Sequence, residues 1–490
     1  MRFNKLRYGF GVLFSIAVVS SIYGQRMLTL DQSLAIANQM SPTIRAARLS
    51  LEQNQENLNA QRAALKSKFS LNVTPIAYSN QREYDERLGW STNETTSSGG
   101  RFTVEQPILA TDGTVTLTNN LGWQDSYSTY NANAFKGFSN TLSLGVDQPI
   151  FTYNRTKMTI RRLEYSLENS KLNYELRLLA VEKSVTQAFY EVYQAQKSLE
   201  TAREEYENRM QSYEIIKNKV DAGLVAKEEL FQAELDMLSS KSSVQDDEVS
   251  LENSLDNFKQ LLGLPLDDAI TVLAEVSVTP VSIDLKQSIE RGLASRMELR
   301  QREIEIEQGQ FDLITTKAEN EFYGNIGLSY GISGDDVKLK NVYKDPSKNQ
   351  NVQVTFSIPI FDWGANKAKM RAQQAAQNSL ELDLENERID IALSIRQVYR
   401  NLANYLNQID IARKNEENAQ LTYDINLEKY KNGDLTSMDL NLVQNQLTQK
   451  KQSLTNALIQ YKLELLNMKI QTLYDYENSR NIVPDFSKKK

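Results

Sequence analysis

Between Phe69 and Ile150 apolar and polar positions alternate with a period of two. Phe69, Leu71 and Val73 oppose Ser70, Asn72 and Thr74, and Leu142, Leu144 and Val146 oppose Thr141, Ser143 and Asp147. Such alternation predicts strands with one apolar face: one from Phe69, then 101–108, 113–124 and 139–150, with polar loops over Ser91–Gly100 and Asp125–Gly137. On either side the period lengthens to that of a helix. Leu34, Ala37, Ile44, Ala47, Leu51 and Leu58 mark one helix over 30–66, with Asp31 as its expected N-cap. Another helical block runs from Asn154 to Val220, resumes at Leu224 and stops near Leu262, before Gly263-Leu264-Pro265. At 1.5 Å per residue its first helix is roughly 100 Å long, too long for an ordinary globular domain.

The second half repeats the plan. Lys286-Gln287-Ser288-Ile289 resembles Asp31-Gln32-Ser33-Leu34 and opens a helix expected to reach Asn320. Phe322, Gly324, Ile326, Leu328 and Tyr330 form one face of a strand; Val352, Val354, Phe356 and Ile358 form one face of its partner. Long helices follow over about 364–431 and 434–475. Pro359 of Ile358-Pro359-Ile360-Phe361 follows Pro149 of Gln148-Pro149-Ile150-Phe151 by 359 − 149 = 210 positions, and Gly433 follows Gly223 by the same interval. The chain is therefore a duplicated strand–long helix–turn–helix unit. The first copy carries 45 more residues, the difference between offsets of 286 − 31 = 255 and 210, all within its β region. Gln106-Pro107-Ile108 looks like an internal third copy of the strand-ending motif, so the surplus reads as one added hairpin.

This organisation gives a signal segment at 1–24, a first repeat over 25–280 with β region 69–150 and helices 154–262, a second repeat over 281–478 with β region 322–361 and helices 364–475, and a flexible tail at 479–490. The signal reading rests on Arg2, Lys5 and Arg7 ahead of the apolar run Phe10–Val19, which is short of the ~20 residues that span a bilayer. Removing those three cations takes the net charge from −7 to about −10, which argues against a nucleic-acid partner. Cysteine and histidine are both absent. There is no disulfide framework, and the commonest general base and metal ligand are missing. No catalytic residue, metal site or cofactor is expected.

Alternating strands of about ten residues are of the length that crosses a bilayer as tilted barrel strands, and Trp90, Trp123, Tyr127 and Tyr130 sit near the loops, as an aromatic girdle would. Two or three hairpins cannot close a barrel, and open sheet edges are forbidden in lipid. One chain must then supply part of a barrel completed by copies of itself. The helices carry staggered apolar seams such as Leu393, Val398, Leu402, Tyr405 and Ile409 rather than one heptad stripe, as helices with neighbours on both sides would.

The segment Leu28–Arg48 with Asn38, Pro42 and Arg45, the two Pro-Ile-Phe junctions, the two glycine turns and Leu262-Gly263-Leu264-Pro265 occur in the order and spacing of a known family. Over nearly all of 28–478 the chain resembles the TolC-type outer-membrane efflux proteins. The resemblance implies a mainly α protein with membrane β structure: a homotrimer whose β-barrel in the outer-membrane lipid continues as an α-helical barrel in the periplasm. It implies a passive exit channel for tripartite efflux or type I secretion, working with a periplasmic adaptor and an inner-membrane pump, either proton-driven or ABC-type. The alternatives are a periplasmic adaptor with its own helical hairpin, which the duplication counts against, and a secreted coiled-coil protein, which leaves the strands unexplained.

By position, Ala222, Gly223 and Leu224 match the tip that the family offers to the adaptor, and Gly433 with Asp434 forms the second tip. Asp439 falls on a carboxylate position of the family's periplasmic gate; Leu442 stands at a second and is not acidic. Glu229 is the counterpart of Asp439 in the first repeat, and Tyr430 matches a tyrosine that latches the closed entrance. A basic latch partner is replaced by Leu435, so the closing network must differ. Pro149 and Pro359 mark the strand-to-helix junctions.

Overall fold

The computed structural model describes residues 26–87, 89–129, 135–274, 276–319, 321–432 and 434–482. The expected signal segment, Tyr130, Gly433 and the tail from 483 lie outside the described residues. In chain order the elements are β1 (Arg26–Leu28), α1 (Leu30–Met40), α2 (Pro42–Ala64), β2 (Lys68–Asp85), β3 (Gly89–Ile108), β4 (Gly113–Ser128), β5 (Phe135–Ile150), α3 (Arg155–Asp221), α4 (Lys227–Leu262), β6 (Ile270–Val272), α5 (Leu285–Ser295), α6 (Met297–Ala318), β7 (Tyr323–Asp336), β8 (Ser347–Ser357), α7 (Ala365–Asn432), α8 (Ser437–Thr472), β9 (Tyr474–Asp475) and β10 (Arg480–Asn481). No described helix is long and apolar enough to cross a membrane.

The chain falls into two units. Among the described residues the first comprises 26–42, Glu182–Val278 and Ile409–Ile459. Here β1 pairs in parallel with β6. Val185, Phe189, Phe258 and Leu262 are fully buried, with the rings of Phe189 and Phe258 edge to face at 6.1 Å. Gly263 ends α4 at φ 77°, where a side chain would run into the Met40 carbonyl. The second unit comprises Thr43–Val181, Thr279–Gln408 and 460–482. It contains the large sheet and a core of Tyr165, Leu172, Met297, Ile304 and Leu473.

The duplication is visible in atomic detail. The N-cap of α1 is Thr29, not Asp31: its hydroxyl accepts from the Gln32 amide while Gln32 returns its own side chain to the Thr29 amide. Asp284 caps α5 by accepting from the Gln287 amide, and Ser33 and Ser288 each donate back to the carbonyl of the cap residue. Neither expected helix is continuous. The first breaks at Ser41 (ψ 126°), because Pro42 disfavours helical geometry in the residue before it and is itself well placed to start a helix. The second breaks at Arg296 (ψ 126°), whose guanidinium is bound to Glu298 and Gln471. The C-terminal segment is also ordered further than its composition suggests, since Arg480–Asn481 pairs with Tyr474–Asp475.

The sheet is one antiparallel meander of six strands in the order β2-β3-β4-β5-β7-β8. The expected loop Ser91–Gly100 is strand: it belongs to the 20-residue β3, paired with β2 on one side and, from Asn93, with β4 on the other. Its Ser, Thr and Gly residues show no apolar alternation, but the backbone is held by β2 and β4, apart from a bulge opposite Thr74/Ala77. The expected loop 125–137 likewise shortens, with β4 running to Ser128 and β5 starting at Phe135. Register confirms a two-faced sheet. One cross-strand row reads Phe69, Val104, Leu117, Leu144 and Tyr330 and ends on Gln350; its neighbour on the opposite face reads Ser70, Thr103, Thr118, Ser143, Gly331 and Asn349. The apolar row is not covered by protein: Leu144 is 47% and Phe69 67% exposed.

The added hairpin is stapled in place by repeated chemistry. Gln106 donates to the Leu65 carbonyl and accepts from Ser67, sealing the α2–β2 connection. Gln148 does the same with the Thr111 carbonyl and hydroxyl, sealing the β3–β4 turn. That turn holds Asp112 at φ 63°, and the Asp112 carboxylate accepts from the Arg155 and Thr156 amides at the start of α3. In the second repeat a residue three positions before α7 performs this service, with Asp362 accepting from the Gly364 and Asn366 amides. The Asn366 amide first, and the Gly364 amide next, hold the Asp362 carboxyl below the usual carboxylate range. Asp112→Ala is expected to cost about 1 kcal/mol as a lost helix cap. The loss is read as earlier helix melting, with Asp112→Asn, which keeps an acceptor, close to the parent.

Candidate functional site

The α3–α4 turn closes by the Leu224 amide donating to the Lys219 carbonyl at 2.8 Å, with Gly223 left-handed at φ 74°. This is a helix ending that favours glycine and leaves the turn compact. The α7–α8 turn repeats it 210 residues on, with the Asp434 amide donating to the Lys429 carbonyl at 2.9 Å. Ala222, Gly223 and Asp434 are exposed, Leu224 is 74% exposed, and a Cβ at Gly223 would meet nothing within 4 Å. The turn is therefore free of packing duties.

Of the expected gate residues, the structure brings two together. Tyr430 on α7 is buried, with the Lys219 ammonium 5.9 Å from its ring centre. Burial pushes its phenol above the usual tyrosine range, the Ser212 side chain offsets part of this, and the Glu229 carboxylate adds to it. Ser212 eases the shift without well-formed hydrogen-bond geometry, so the Tyr430 hydroxyl has no hydrogen-bond partner within the described residues. No hydrogen bond or ion pair joins Asp439 to either residue among the described residues. It is exposed in the first turn of α8, where its carboxylate accepts from the Thr436 hydroxyl at 2.7 Å and its amide donates to the same oxygen at 3.2 Å. In one protomer Asp439 thus acts as half of a helix-capping pair.

A polar network that sequence reasoning missed joins the same helices. Arg209 on α3 is almost buried; it donates to Glu205 and to the Asn445 side chain of α8, and its guanidinium lies 3.7 Å from Asp236 of α4. Asn441 of α8 completes the loop by donating to Asp236 at 2.8 Å. Nothing local marks these residues: each is a common polar type on a polar helix, and the partners are up to 236 positions apart.

The strand-to-helix junctions are aromatic on both copies. Pro149 lies within β5 opposite Asn325, and Pro359 follows the end of β8. Phe151 and Trp363 take positive φ, and their neighbours form ring contacts from Phe151 to Phe322 (5.3 Å), Phe322 to Phe356 (5.4 Å) and Phe361 to Trp363 (4.8 Å). Trp363 is 90% exposed.

Residues 114–264 and 288–469 match the family described as outer membrane efflux protein. The chain is similar to the outer membrane protein TolC of Escherichia coli strain K12, at 22% identity over 69% of this chain and 70% of TolC. It is also similar to the probable outer membrane lipoprotein SilC of Salmonella typhimurium, at 23% identity over 42% of this chain, a match spanning 44% of SilC. Its fold is shared with the crystal structure of the CmeC outer membrane channel of Campylobacter jejuni, with a TM-score of 0.71, 15% identity, and coverage of 99% of this chain and 96% of that one. With the matched segments taking in most of both repeats, the chain belongs to the outer membrane efflux protein family.

Proposed function

We propose that the chain is the passive exit duct of an export system: a homotrimer whose sheets close into one barrel in the outer-membrane lipid and whose long helices close into a tunnel in the periplasm. The observation that carries this is the six-stranded sheet, largely apolar on one face, polar and small-residued on the other, with both edges open. Lipid tolerates the apolar face but not an unpaired edge, so further copies must complete the ladder. The helices support the same reading. Phe231, Leu235 and Leu238 on α4, and Leu382, Ile389 and Leu393 on α7, form heptad-spaced stripes that a lone protomer leaves at least half exposed. Val398, Leu402 and Ile409 on α7 are buried, so the apolar surface is split, as helices with neighbours on two sides require. The alternative of a periplasmic adaptor has no use for such a sheet. Purified in detergent, the protein is expected to be a trimer that forms pores in planar bilayers; a conducting monomer overturns the reading.

The exposed turns around Gly223 and Asp434 serve as the docking tip for a periplasmic adaptor, through which an inner-membrane pump, proton-driven or ABC-type, supplies the energy. The duct itself performs no chemistry and needs no cofactor. Near the tip, Tyr430, Glu229 and Asp439 regulate entry, and the Arg209–Asp236–Asn441–Asn445 network replaces the basic latch absent at Leu435. Threefold symmetry turns one Asp439 into a ring of three carboxylates, which favours cations at short range. Asp439→Asn is expected to lower the cation preference of the resting pore severalfold in bilayer recordings. Thr436→Ala, which removes the capping partner but not the charge, should leave that preference in place.

A further inference from the structure

The added hairpin bears on how wide the duct is. We infer that all six strands are barrel wall, so that the trimer closes as an eighteen-stranded barrel through β8 of each protomer pairing with β2 of a second copy of this chain. The inference rests on the trimeric reading above and goes beyond it, because the two-strand contribution of the second repeat, doubled, would give four strands per protomer and twelve in all.

Three observations carry it. First, the surplus strands are not folded over the sheet as a cover; each is hydrogen-bonded into the one meander. Second, a full cross-strand row of each face carries across them. Phe69, Val104, Leu117 and Leu144 share the apolar side, and Ser70, Thr103, Thr118 and Ser143 the polar side, so the surplus presents to lipid and lumen what the other strands present. A cover would need its apolar side turned toward the sheet. Third, the edges match. β2 and β8 are the strands exposed along nearly their whole length, and neither has a partner on its outer side within the described residues. Six strands is an even number, so β8 runs opposite to β2 and a threefold copy continues the antiparallel ladder with no change of direction. With strands about 4.8 Å apart and tilted about 40°, twelve strands enclose a backbone cylinder roughly 24 Å across and eighteen one roughly 36 Å across. The wider bore passes bulkier cargo, such as extended polypeptide with its hydration or large amphiphiles.

The absence of cysteine makes the closure directly testable. Ser70→Cys or Asn72→Cys on β2 is paired in turn with each of Asn349→Cys, Asn351→Cys, Gln353→Cys and Thr355→Cys on β8. Thr116→Cys and Thr118→Cys on β4 are scanned against the same four positions. All lie on the polar face, and neighbouring strands bring Cα atoms within disulfide range. Detergent-solubilised outer membranes are oxidised and run without reductant. At least one β2–β8 pair is expected to convert most of the chain to covalent dimers and trimers, with every β4–β8 pair remaining monomeric. Crosslinking of β4–β8 pairs instead means a trimer closed by four strands per protomer, which overturns the eighteen-stranded wall while keeping the trimeric duct. A sedimentation-confirmed trimer in which no β2–β8 pair reacts also overturns it. A protein that is monomeric by sedimentation and never crosslinks removes the trimeric reading as well.

Discussion

Leu144→Arg is expected to abolish assembly in the outer membrane, whereas Ser143→Arg, one residue away, is expected to leave it intact. Leu144 sits at the centre of the apolar row between Leu117 and Tyr330, 47% exposed with no protein over it. A cation on the lipid face near the bilayer midplane costs about 2–4 kcal/mol, and the proposed threefold symmetry would place three of them in one barrel. Ser143 points the other way, into the row shared by Thr118 and Gly331, where a wet lumen solvates a guanidinium. The readout is the fraction of heat-resistant trimer in outer-membrane extracts. Equal loss for both variants means that the two faces are not lipid and lumen, and the barrel reading fails with it. Loss for Leu144→Arg alone also distinguishes a membrane wall from a soluble sheet, whose half-exposed apolar face would accept the charge at little cost.

The second large effect is expected at the tip. Gly223→Lys and Leu224→Asp should reduce export in cells to background while trimer yield and melting stay near those of the parent. The separation is clean because of what surrounds the turn. Gly223 is left-handed but faces open space, so a side chain there costs only the backbone penalty, about 1 kcal/mol. Gly263 has almost the same φ, 77° against 74°, yet is walled by the Met40 carbonyl. Gly263→Ala is therefore the control for a structural glycine: it should lower stability and trimer yield together. Normal export with Gly223→Lys and Leu224→Asp would reject a docking role for the α3–α4 turn. Lost trimers would make Gly223 a second Gly263, which its open surroundings argue against.

The contrast between those glycines shows where reading a chain in isolation stops. Both glycines are visible in the sequence, and both end helices. Only the position of Met40, more than 200 residues earlier, tells that one is packed and the other free. The same limit applies to β3. Ser91–Gly100 has the composition of a loop, and it is strand because partners on both sides satisfy its backbone. Features repeated in sequence were legible: the junctions at Pro149 and Pro359, the turns 210 apart, and the surplus hairpin behind Gln106-Pro107-Ile108. Alternation was legible where one face of a strand is apolar, as from Phe69 to Val73, and faded where the residues of both faces are polar. Single-partner polar contacts were not legible. Asp112 caps a helix that begins 43 positions later, and Arg209 reaches Asn445 across 236. Asp439 shows a second role that the sequence alone did not mark. Its place after the second turn suggested a pore carboxylate, and the structure reveals that it also completes a capping pair with Thr436, a role any Thr-x-x-Asp at a helix start can take.

The glutamine staples carry a consequence about how such a wall can change width at all. Every strand reverses the chain, so a change of one strand would deliver α3 to the far side of the bilayer. A hairpin is the smallest insertion that returns the chain to the side it left. Gln106 and Gln148 show the return being made twice with the same chemistry, each glutamine closing the connection that precedes its own hairpin on that side. If three identical chains share the ring, as proposed, the circumference can grow only in steps of six strands. Bore is then a discrete property of such ducts, and intermediate widths are excluded by parity and symmetry before any side chain is considered.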